Sequence, residues 1–246
     1  MKNILDLPET TINSQQIIHR KKFFEKIYLD FYNELKSHSK QLPKGKKLEL
    51  GSGAGFIKQV IPDVITSDII KLPICDKVIN AEKLPFSNNT LSAIYMLNTF
   101  HHIKNPKKAL TEFNRCLKKE GKIIMIEPYN SWWGRFIYKN FHYEGFDEHD
   151  PNWNIKGKGP LSDANNALPW IIFERDKQKY KKMFPSLNIT YMQPHTPIRY
   201  LLSGGLKKHQ LVPTFTFNFF KLFEKIISPF SKQTGMFVTI VLTKTS

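Results

Sequence analysis

Cysteine is scarce in this chain of 246 residues, which contains only Cys75 and Cys116. Two cysteines so far apart do not match the spacing of a metal-binding motif, and they exclude a disulfide framework of the kind that small secreted domains use. The chain also lacks an apolar run of about 18 residues, which a membrane-spanning helix needs, and its first residues are polar, unlike a signal peptide. We therefore expect no bound metal, no spanning helix and a cytoplasmic location.

Arginine is scarce as well. The 37 basic residues include only five arginines, so lysine supplies most of the formal net charge of +16. Proteins that read nucleic acids favour the planar fork of arginine, and the lysines here are scattered along the chain. The charge therefore predicts lysine-rich solvated faces rather than a nucleic-acid surface. It leaves peripheral contact with an anionic membrane open.

A glycine-rich stretch at residues 47–55 reads Lys-Leu-Glu-Leu-Gly-Ser-Gly-Ala-Gly and lacks two familiar signatures. The dinucleotide fingerprint G-x-G-x-x-G requires a glycine where this chain has Phe56, and the phosphate-binding P-loop requires Gly-Lys-Ser or Gly-Lys-Thr after its glycines. An apolar run followed by glycines predicts a buried strand that turns sharply into a helix and lets a ligand lie against the backbone. The alternative is a strand-turn-helix corner that holds no ligand.

Glu49 indicates which kind of ligand this turn holds. A carboxylate just before the glycines repels phosphates and suits a ligand that carries an ammonium group. S-adenosylmethionine has an ammonium group and a sulfonium group and no phosphate. We therefore predict S-adenosylmethionine as the cofactor.

Strands alternate with helices through the first half of the chain. Residues 64–69, 91–97 and 122–128 are apolar runs that predict strands, and the helical pattern before the last of them is expected to end at Gly121 as a C-cap. Such alternation predicts a parallel sheet covered on both faces. Asp68 comes at the carboxyl end of its strand, where an acid can accept both hydroxyls of a ribose. A lone Asp in that position can also be a helix cap or a turn former.

The order of these pieces resembles the class I S-adenosylmethionine-dependent methyltransferases, in particular the small-molecule type 11 branch. The resemblance covers residues 44–130 and rests on the motifs at 49–55, 81–86 and 112–128, together with Asp68 and the pair His101 and His102. It implies a three-layer αβα Rossmann-like fold, an α/β class. The implied sheet is mostly parallel and seven-stranded, with an antiparallel last strand.

The resemblance also implies which residues contact the cofactor. Glu49 and the glycine backbone would surround the methionine portion, and Asp68 would bind the ribose. Asn80 and Ala81 would border the adenine; Asn80 stands where the family usually has Asp, and its amide oxygen can still accept a hydrogen bond from the adenine amino group. The predicted cofactor-binding residues are Glu49, Gly51, Ser52, Gly53, Gly55, Asp68, Ile69, Asn80, Ala81 and Asn98.

The flanks extend this core on both sides. Residues 1–43 are predicted to form an N-terminal helical cap, because apolar residues recur at helical spacing between 15 and 36. Residues 44–130 form the predicted cofactor-binding core, and residues 131–246 supply substrate-side insertions plus the strands that complete the same sheet, which makes a single domain. The apolar segment at 215–230 is interpreted as a helix packed on the sheet or as an interfacial patch.

Aromatic and titratable residues after Pro128 predict the acceptor pocket. This segment leaves the carboxyl end of a central strand, and later segments punctuated by Gly and Pro repeat its character. Each residue could instead be structural, with Trp170 as a hydrophobic plug and Arg199 as an ion-pair partner. The predicted substrate-binding residues are Tyr28, Trp132, Trp133, Tyr138, Tyr143, Asn165, Trp170, Arg199 and Tyr200.

Methylation of a hydroxyl requires a group that takes its proton, and histidine is the side chain best tuned for this near neutral pH. His142 is the first prediction for this base, with Glu144 as the group that orients it. His101 or His102 is the second, although the resemblance implies a structural or cofactor-side role for that pair.

The sequence thus predicts a S-adenosylmethionine-dependent methyltransferase that O-methylates a small molecule, a sugar or a lipid-linked glycan. Peripheral membrane contact would accompany the lipid-linked case. A protein of the same fold that binds a ligand or a partner without turnover remains an alternative. A nucleic-acid methyltransferase is a third, although the chain lacks both the Asn-Pro-Pro-Tyr motif and a Pro-Cys nucleophile.

Overall fold

The sheet of this protein has seven strands in the order β3-β2-β1-β4-β5-β7-β6. The computed structural model describes residues 6–157, 159, 162–206 and 209–245. Strands β1 to β5 are mutually parallel, and β7 runs antiparallel to both β5 and β6. The predicted fold class is therefore confirmed. The strands are β1 (Lys46–Leu50), β2 (Val64–Asp68), β3 (Lys77–Val78), β4 (Leu91–Leu97), β5 (Leu117–Pro128), β6 (Leu187–His195) and β7 (Phe237–Lys244).

Helices cover both faces of the sheet, because the central strands are apolar on both sides. Helices α3, α5 and α6 pack on the face that carries Leu48 and Ile94, whereas α1, α2, α4 and α8 pack on the face that carries Tyr95 and Ile124. Within the described residues, no helix is both long and apolar enough to span a membrane. The helices are α1 (Pro8–Arg20), α2 (Lys22–Ser37), α3 (Pro106–Cys116), α4 (Trp132–Phe141), α5 (Leu168–Trp170), α6 (Lys177–Met183), α7 (Arg199–Leu202), α8 (Phe217–Ile226) and α9 (Ser231–Thr234).

The N-terminal segment forms two helices where the apolar spacing predicted one. The break lies at Lys21, whose φ of −91° and ψ of 86° are not helical. The apolar residues of α2 are buried against the sheet. Only residues 6–43 of the predicted cap are among those described.

The glycine turn is not followed by the predicted α-helix. A single 3₁₀ turn, Ile57–Gln59, stands there instead. Only eight residues separate Gly55 from the start of β2 at Val64, and Pro62 is one of them, so the segment is too short for several helical turns. The loop therefore takes its shape from contacts with other parts of the chain.

The expectation that Gly121 caps α3 was wrong. The helix ends at Cys116, and the chain continues directly into β5. The ammonium group of Lys244 in β7 donates hydrogen bonds to the carbonyls of Asn114 and Leu117 at 2.7 and 2.9 Å. A distant side chain thus satisfies the carbonyl groups that a glycine cap would have satisfied locally.

Candidate functional site

A cavity of about 260 Å³ opens at the carboxyl ends of β1, β2 and β4. Ligands of open α/β sheets bind at this edge, where neighbouring connections leave the sheet in opposite directions. All ten predicted cofactor-binding residues lie on its wall, and their contacts with a cofactor stay predictions. The wall also includes residues that sequence reasoning did not select, namely Thr11, Ser14, Tyr32, Thr99, Ile103 and Leu206.

The glycine loop meets this cavity with two residues in the left-handed region. Gly51 has a φ of +64°, and a Cβ there would stand 2.3 Å from Cγ2 of Thr99. Gly53 has a φ of +46°, and a Cβ there would meet no atom closer than the Gly51 carbonyl oxygen at 3.7 Å. Gly51 is therefore needed for packing, whereas Gly53 leaves open space on the cavity side.

Asp68 fastens this loop to the end of β2. Its Oδ2 accepts a hydrogen bond of 3.0 Å from the Gly53 amide, and its Oδ1 accepts one of 3.1 Å from the Ile70 amide. Burial raises the pKa of Asp68, while these amide bonds work against the rise. Each carboxylate oxygen keeps a second acceptor site, so Asp68 can hold the loop and still accept from ligand hydroxyls.

Two buried acceptor atoms on the cavity wall have no hydrogen-bond partner. They are Oε2 of Glu49 and Oδ1 of Asn98. Burial raises the pKa of Glu49 to about 8, and the neighbouring charge of Asp68 adds to the rise. Buried acceptors without donors are costly, and a ligand that brings an ammonium group relieves that cost. These acceptor atoms therefore fit the ammonium group of S-adenosylmethionine better than a phosphate ligand.

The N-terminal helices close the cavity from outside the sheet. The Phe56 amide donates a hydrogen bond of 3.0 Å to the hydroxyl of Tyr32 in α2, and the side-chain amide of Gln15 in α1 donates one of 3.2 Å to the Gly55 carbonyl. A Cβ on Gly55 would stand 2.1 Å from the Tyr32 hydroxyl oxygen. Thr11 of α1 also faces the cavity. The sequence signal that could have identified Thr11, Gln15 and Tyr32 is their position among the polar residues of amphipathic helices.

A second cavity, of about 440 Å³, adjoins the first. Four residues line both: Tyr28, Asn98, His102 and Leu206. Of the nine predicted substrate-binding residues, four lie on the wall of this second cavity, and so do all three predicted catalytic residues. These seven are Tyr28, Tyr138, Tyr143, Tyr200, His101, His142 and Glu144.

The tyrosines of this second cavity stay protonated near neutral pH. Burial raises the pKa of Tyr28 to about 12 and raises those of Tyr138, Tyr143 and Tyr200 as well. Tyr138 already donates its hydroxyl proton to the Met236 carbonyl, at 2.6 Å. These phenols therefore act as hydrogen-bond donors and apolar surfaces, not as bases.

The other five predicted substrate-binding residues lie away from the second cavity. Asn165 is buried and bridges both backbone groups of Asp147, at 3.0 and 2.9 Å. Arg199 is buried between Glu224 of α8 and Asp30 of α2 and forms ion pairs with both. Their polar groups are used within the fold, as the structural alternative for Arg199 predicted.

The three tryptophans among these five also have other surroundings. Trp132 is 69% exposed on the outside of α4. The indole N–H of Trp133 donates a hydrogen bond of 2.9 Å to the Pro197 carbonyl, and Trp170 packs against the main core. The sequence placed Trp132 and Trp133 beside the acceptor because they follow a strand end, but helix α4 directs them elsewhere. Trp170 lies in α5.

His142 lies on the cavity wall, but its contacts differ from the predicted pairing. The backbone amide of Glu144 donates to Nδ1 of His142 at 3.3 Å, so the neutral ring carries its proton on Nε2. The Glu144 carboxylate lies 3.8 Å from the same nitrogen. Glu144 therefore does not orient His142 by accepting from Nδ1.

Glu144 instead faces the pair of histidines after β4. Its Oε2 lies 3.5 Å from Nε2 of His101, and its Oε1 lies 3.7 Å from Nε2 of His102. On the other side of the ring, Nδ1 of His101 is 2.6 Å from Oε2 of Glu127 at the end of β5. Burial opposes a charge on His101, but the two carboxylates outweigh it and raise its pKa to about 9. Burial and the nearby His101 lower the pKa of His102 to about 4.

Part of the chain is similar in sequence to known proteins. A family model described as "Methyltransferase domain", of the type 11 branch, matches residues 48–125. An uncharacterised protein of Methanocaldococcus jannaschii is 30% identical over 112 residues, which are 42% of this chain and 55% of that protein. The chain thus spans about half the length of the curated relative that it matches.

Solved structures share the fold at low sequence identity. A S-adenosylmethionine-dependent methyltransferase of Thermotoga maritima, described as a possible histamine N-methyltransferase, is 18% identical with a TM-score of 0.52 over 94% of this chain and 98% of that chain. A chain from a complex that pairs the Haloferax volcanii Trm112 methyltransferase activator with a protein described as a methyltransferase is 12% identical, with a TM-score of 0.55 over 100% of both chains. At such identities the likeness concerns the fold alone.

Proposed function

We propose, from the match of residues 48–125 to a model of methyltransferase domains, that the chain is a S-adenosylmethionine-dependent methyltransferase that O-methylates a small, largely apolar acceptor. One observation carries the proposal. The cavity that fits the cofactor and the larger tyrosine-lined cavity share a wall made of Tyr28, Asn98, His102 and Leu206. A methyl donor on one side of this junction and an acceptor on the other would come within reach of each other.

The first cavity supplies the residues that would hold the cofactor. Glu49 and Asn98 offer unpartnered acceptors for its ammonium group, and Asp68 offers acceptor sites for its ribose hydroxyls. Ile69 and Ala81 provide apolar surface on the same wall. When bound there, S-adenosylmethionine supplies an electrophilic methyl group. Positioning of the acceptor against that group is the main contribution that the protein can make to the rate.

The second cavity defines the class of acceptor. Its wall is mainly aromatic and aliphatic, and its polar groups gather at one end around His101, His102 and Glu144. Ligand cavities of this composition bury an apolar body and fix its orientation with a few polar groups. We place the acceptor hydroxyl at this polar end, next to the junction with the first cavity.

The acceptor hydroxyl must lose a proton when its oxygen is methylated. His142 lies on the same wall, and we retain it as the proposed proton acceptor. Because its Nδ1 accepts from the Glu144 amide, the ring must release that hydrogen bond or change its tautomer before it takes a proton. The phenols with raised pKa would stay protonated and orient the acceptor.

A lipid-linked acceptor is the finer form of this proposal. Phe141 and Leu211 lie on the second cavity and are 64% and 62% exposed, so its rim is apolar. The outer face of α8 and the residues around it form an apolar patch, interleaved with Lys221 and Lys225. Its members are Phe215, Phe219, Leu222, Phe223, Ile226 and Phe230. An apolar patch with lysines fits an anionic bilayer surface.

Two measurements test the proposal in sequence. Calorimetric titration with S-adenosylhomocysteine, and separately with NAD, tests the first cavity; we expect micromolar binding of the adenosyl ligand alone. Incubation with methyl-labelled S-adenosylmethionine and a panel of phenols, prenols and lipid-linked glycans then tests transfer, and mass spectrometry identifies the methylated atom. Binding without transfer to any member of the panel would favour the alternative of a binding protein without turnover.

Variants of histidine separate catalysis from binding. We expect His142→Ala to lower kcat far more than it lowers affinity for S-adenosylhomocysteine. His149→Ala is the matched control, because His149 lies seven positions further on and is 85% exposed at its side chain. A fully active His142→Ala protein would remove His142 as the base and leave the transferase assignment intact.

A further inference from the structure

We infer that His101, His102 and Glu144 are the ligands of a divalent transition-metal ion at the polar end of the second cavity. The sequence analysis predicted no metal, on the spacing of the two cysteines, and did not consider these three residues as ligands. The fold brings them together: one nitrogen from each histidine and one carboxylate oxygen of Glu144 lie within 4.8 Å of one another. Across the part of the chain that the structure describes, no other group of three such side chains does so.

Two separations between these side chains are close to those of ligands around an ion. Nε2 of His101 is 3.5 Å from Oε2 of Glu144, and Nε2 of His102 is 3.7 Å from Oε1 of the same carboxylate. Metal bonds of about 2.0–2.2 Å in a tetrahedral site place neighbouring ligand atoms roughly 3.3–3.6 Å apart. The three side chains are therefore close to ligand positions without a large rearrangement.

When the ring of His101 is neutral, as a metal ligand must be, its Nε2 lone pair is directed toward Glu144. Its Nδ1 is 2.6 Å from Glu127, whose other oxygen accepts from the amides of Thr99 and Phe100 at 2.8 and 2.7 Å. An ionised carboxylate held in this way can only accept, so Nδ1 of His101 must donate. In the neutral ring, Nε2 then presents its lone pair to the carboxylate of Glu144. Two hydrogen-bond acceptors therefore face each other with no proton between them.

His102 repeats this arrangement from the other side. Its Nδ1 lies 3.3 Å from the backbone carbonyl of Asp163, which can only accept, so this Nδ1 also donates. Its Nε2 therefore faces Glu144 with a lone pair as well. A proton on His101 would relieve one of the two opposed contacts, whereas a single ion between the three groups relieves both.

The surroundings of the three residues are those of metal ligands in proteins. Ligating histidines usually donate their second ring nitrogen to a carboxylate or a carbonyl, which fixes the tautomer. Glu127 and the Asp163 carbonyl fill these places here. The side-chain amide of Asn166 donates to Oε2 of Glu144 at 3.3 Å and orients the carboxylate.

Two histidines and one carboxylate select the kind of ion and leave room for a further ligand. Imidazole suits zinc, iron, cobalt and nickel, whereas magnesium and calcium prefer oxygen ligands. Sites with three protein ligands keep an open position, which is typical of catalytic rather than structural metal sites. All three residues line the second cavity, so that position faces the acceptor.

This inference deepens the proposed function, and the role of the ion in catalysis rests on that function. An ion here would draw charge from the hydroxyl that we place beside it and ease the loss of its proton. The O–H proton would pass to His142, and the acceptor oxygen would form a bond to the methyl carbon as the bond from that carbon to sulfur breaks. The sulfonium would leave as a neutral thioether, so charge and atoms balance.

The test measures ion binding by the full chain without methyl donor or acceptor. After treatment with chelator, the protein is titrated with Zn²⁺ by calorimetry and with Co²⁺ by visible absorption. We expect one ion per chain, Co²⁺ bands typical of imidazole ligation, and no displacement by equimolar Mg²⁺. We expect Glu144→Gln to weaken Zn²⁺ binding by about tenfold or more, and His149→Ala to leave it unchanged.

Several results would overturn the inference. These are the absence of Zn²⁺ and Co²⁺ binding by the wild-type chain, or equal affinity in wild type and Glu144→Gln. If Glu144→Gln does not fold, as judged by its melting transition, His102→Asn takes its place with the same expected loss. Methyl transfer that persists in chelator would remove the catalytic role of the ion and leave the proposed function standing. Ion binding without any methyl transfer would support the metal site and contradict the proposed function.

Discussion

The backbone N–H of Phe56 donates a hydrogen bond of 3.0 Å to the hydroxyl of Tyr32. This bond joins the glycine loop of the cofactor cavity to helix α2, which precedes that loop in the chain and lies outside the sheet. The loop has only a short 3₁₀ turn behind it, so its shape depends on this contact and on the bonds to Asp68. The N-terminal helices are therefore part of the proposed cofactor site.

Replacement of Tyr32 by Phe tests this dependence. The change leaves the Phe56 amide without its partner, and one such bond contributes about 0.5–1.5 kcal/mol, or roughly 2- to 13-fold in affinity. We expect calorimetry to show weaker binding of S-adenosylhomocysteine within that range. Tyr95→Phe is the control, because Tyr95 also loses a hydroxyl contact, to Ser39 at 2.7 Å, away from the cavity. Equal affinities for the two variants would contradict the role of α2.

The two left-handed glycines should respond differently to alanine. Gly53→Ala places its Cβ in open space beside the cavity, so the protein should fold, at a conformational cost of about 1–2 kcal/mol, and lose cofactor affinity. Gly51→Ala drives a Cβ against Thr99 and should lower the melting temperature further. Thermal melting and calorimetry together check both. Unchanged cofactor affinity in Gly53→Ala would place the ligand elsewhere.

Glu49 should make cofactor binding depend on pH. Its pKa is raised to about 8, so the carboxylate that attracts an ammonium group forms only as the pH approaches that value. We expect the affinity for S-adenosylhomocysteine to rise between pH 6 and 8 in the wild-type protein. In the Glu49→Gln variant the affinity still changes with the titration of the ligand, but it no longer changes with the titration of residue 49. The difference between the affinity–pH profiles of wild type and variant therefore gives the effect of Glu49.

The same shift affects the stability of the protein without ligand, with a definite sign. The pKa of Glu49 is higher in the folded chain than its ordinary value of 4.5. Its contribution to the free energy of unfolding is therefore fully present below about pH 4.5 and is lost as the pH rises through about 8. Asp68, Cys75 and Tyr32 are the other titratable groups nearby. Urea unfolding should show that the free energy of unfolding of Glu49→Gln increases relative to that of the wild type as the pH rises over this range. A difference in free energy that stays constant with pH would contradict the prediction.

Arg199 should prove structural rather than substrate-binding. It is buried with Glu224 and Asp30, and loss of one partner from a buried ion pair costs about 3–5 kcal/mol because the other charge stays buried. We expect Arg199→Met to lower the free energy of unfolding by that amount and to leave the affinity for S-adenosylhomocysteine unchanged. The double variant Arg199→Met with Glu224→Leu should recover much of the loss.

The apolar patch on α8 should bind anionic bilayers. We expect the wild-type chain to sediment with phosphatidylglycerol vesicles and not with phosphatidylcholine vesicles, and salt should weaken the binding. Phe219→Ser with Ile226→Ser should abolish it, since both residues are 66% exposed. Val78→Ser is the control, because Val78 is 57% exposed outside the patch. Equal sedimentation of patch and control variants would exclude the patch as the contact.

The parallel part of the sheet and the wall of the cofactor cavity could be predicted from the sequence because their signals are local. Strands β1, β2, β4 and the second part of β5 are apolar runs, and Glu49 and Asp68 stand near the ends of such runs. The short edge strand β3 consists of two exposed residues, which the apolar pattern did not predict. The wall of the second cavity was predicted only in part. Tyr28 and Tyr143 reach it from distant parts of the chain, and no pattern along the sequence separates them from Trp132, which points outward.

Other errors arose where a distant partner decides the local structure. Nothing near Arg199 indicates that Glu224, 25 residues later, will bury its charge. The end of α3 depends on Lys244, 130 residues after Asn114, and not on Gly121. His101 and His102 could be named from the sequence, but their relation to Glu144 depends on how α4 returns the chain to the end of β4.

The position of β7 in the sheet constrains the order in which the protein can fold. Among the residues that the structure describes, strand β6 pairs only with β7, which follows it in the chain and inserts between β6 and β5. During synthesis, the cofactor half emerges first, while β5 exposes an unpaired edge and β6 has no strand to join. Lys244 reaches the end of α3 only when β7 has left the ribosome. The nascent chain therefore stays open to aggregation, and to assistance by chaperones, until its last described strand is made.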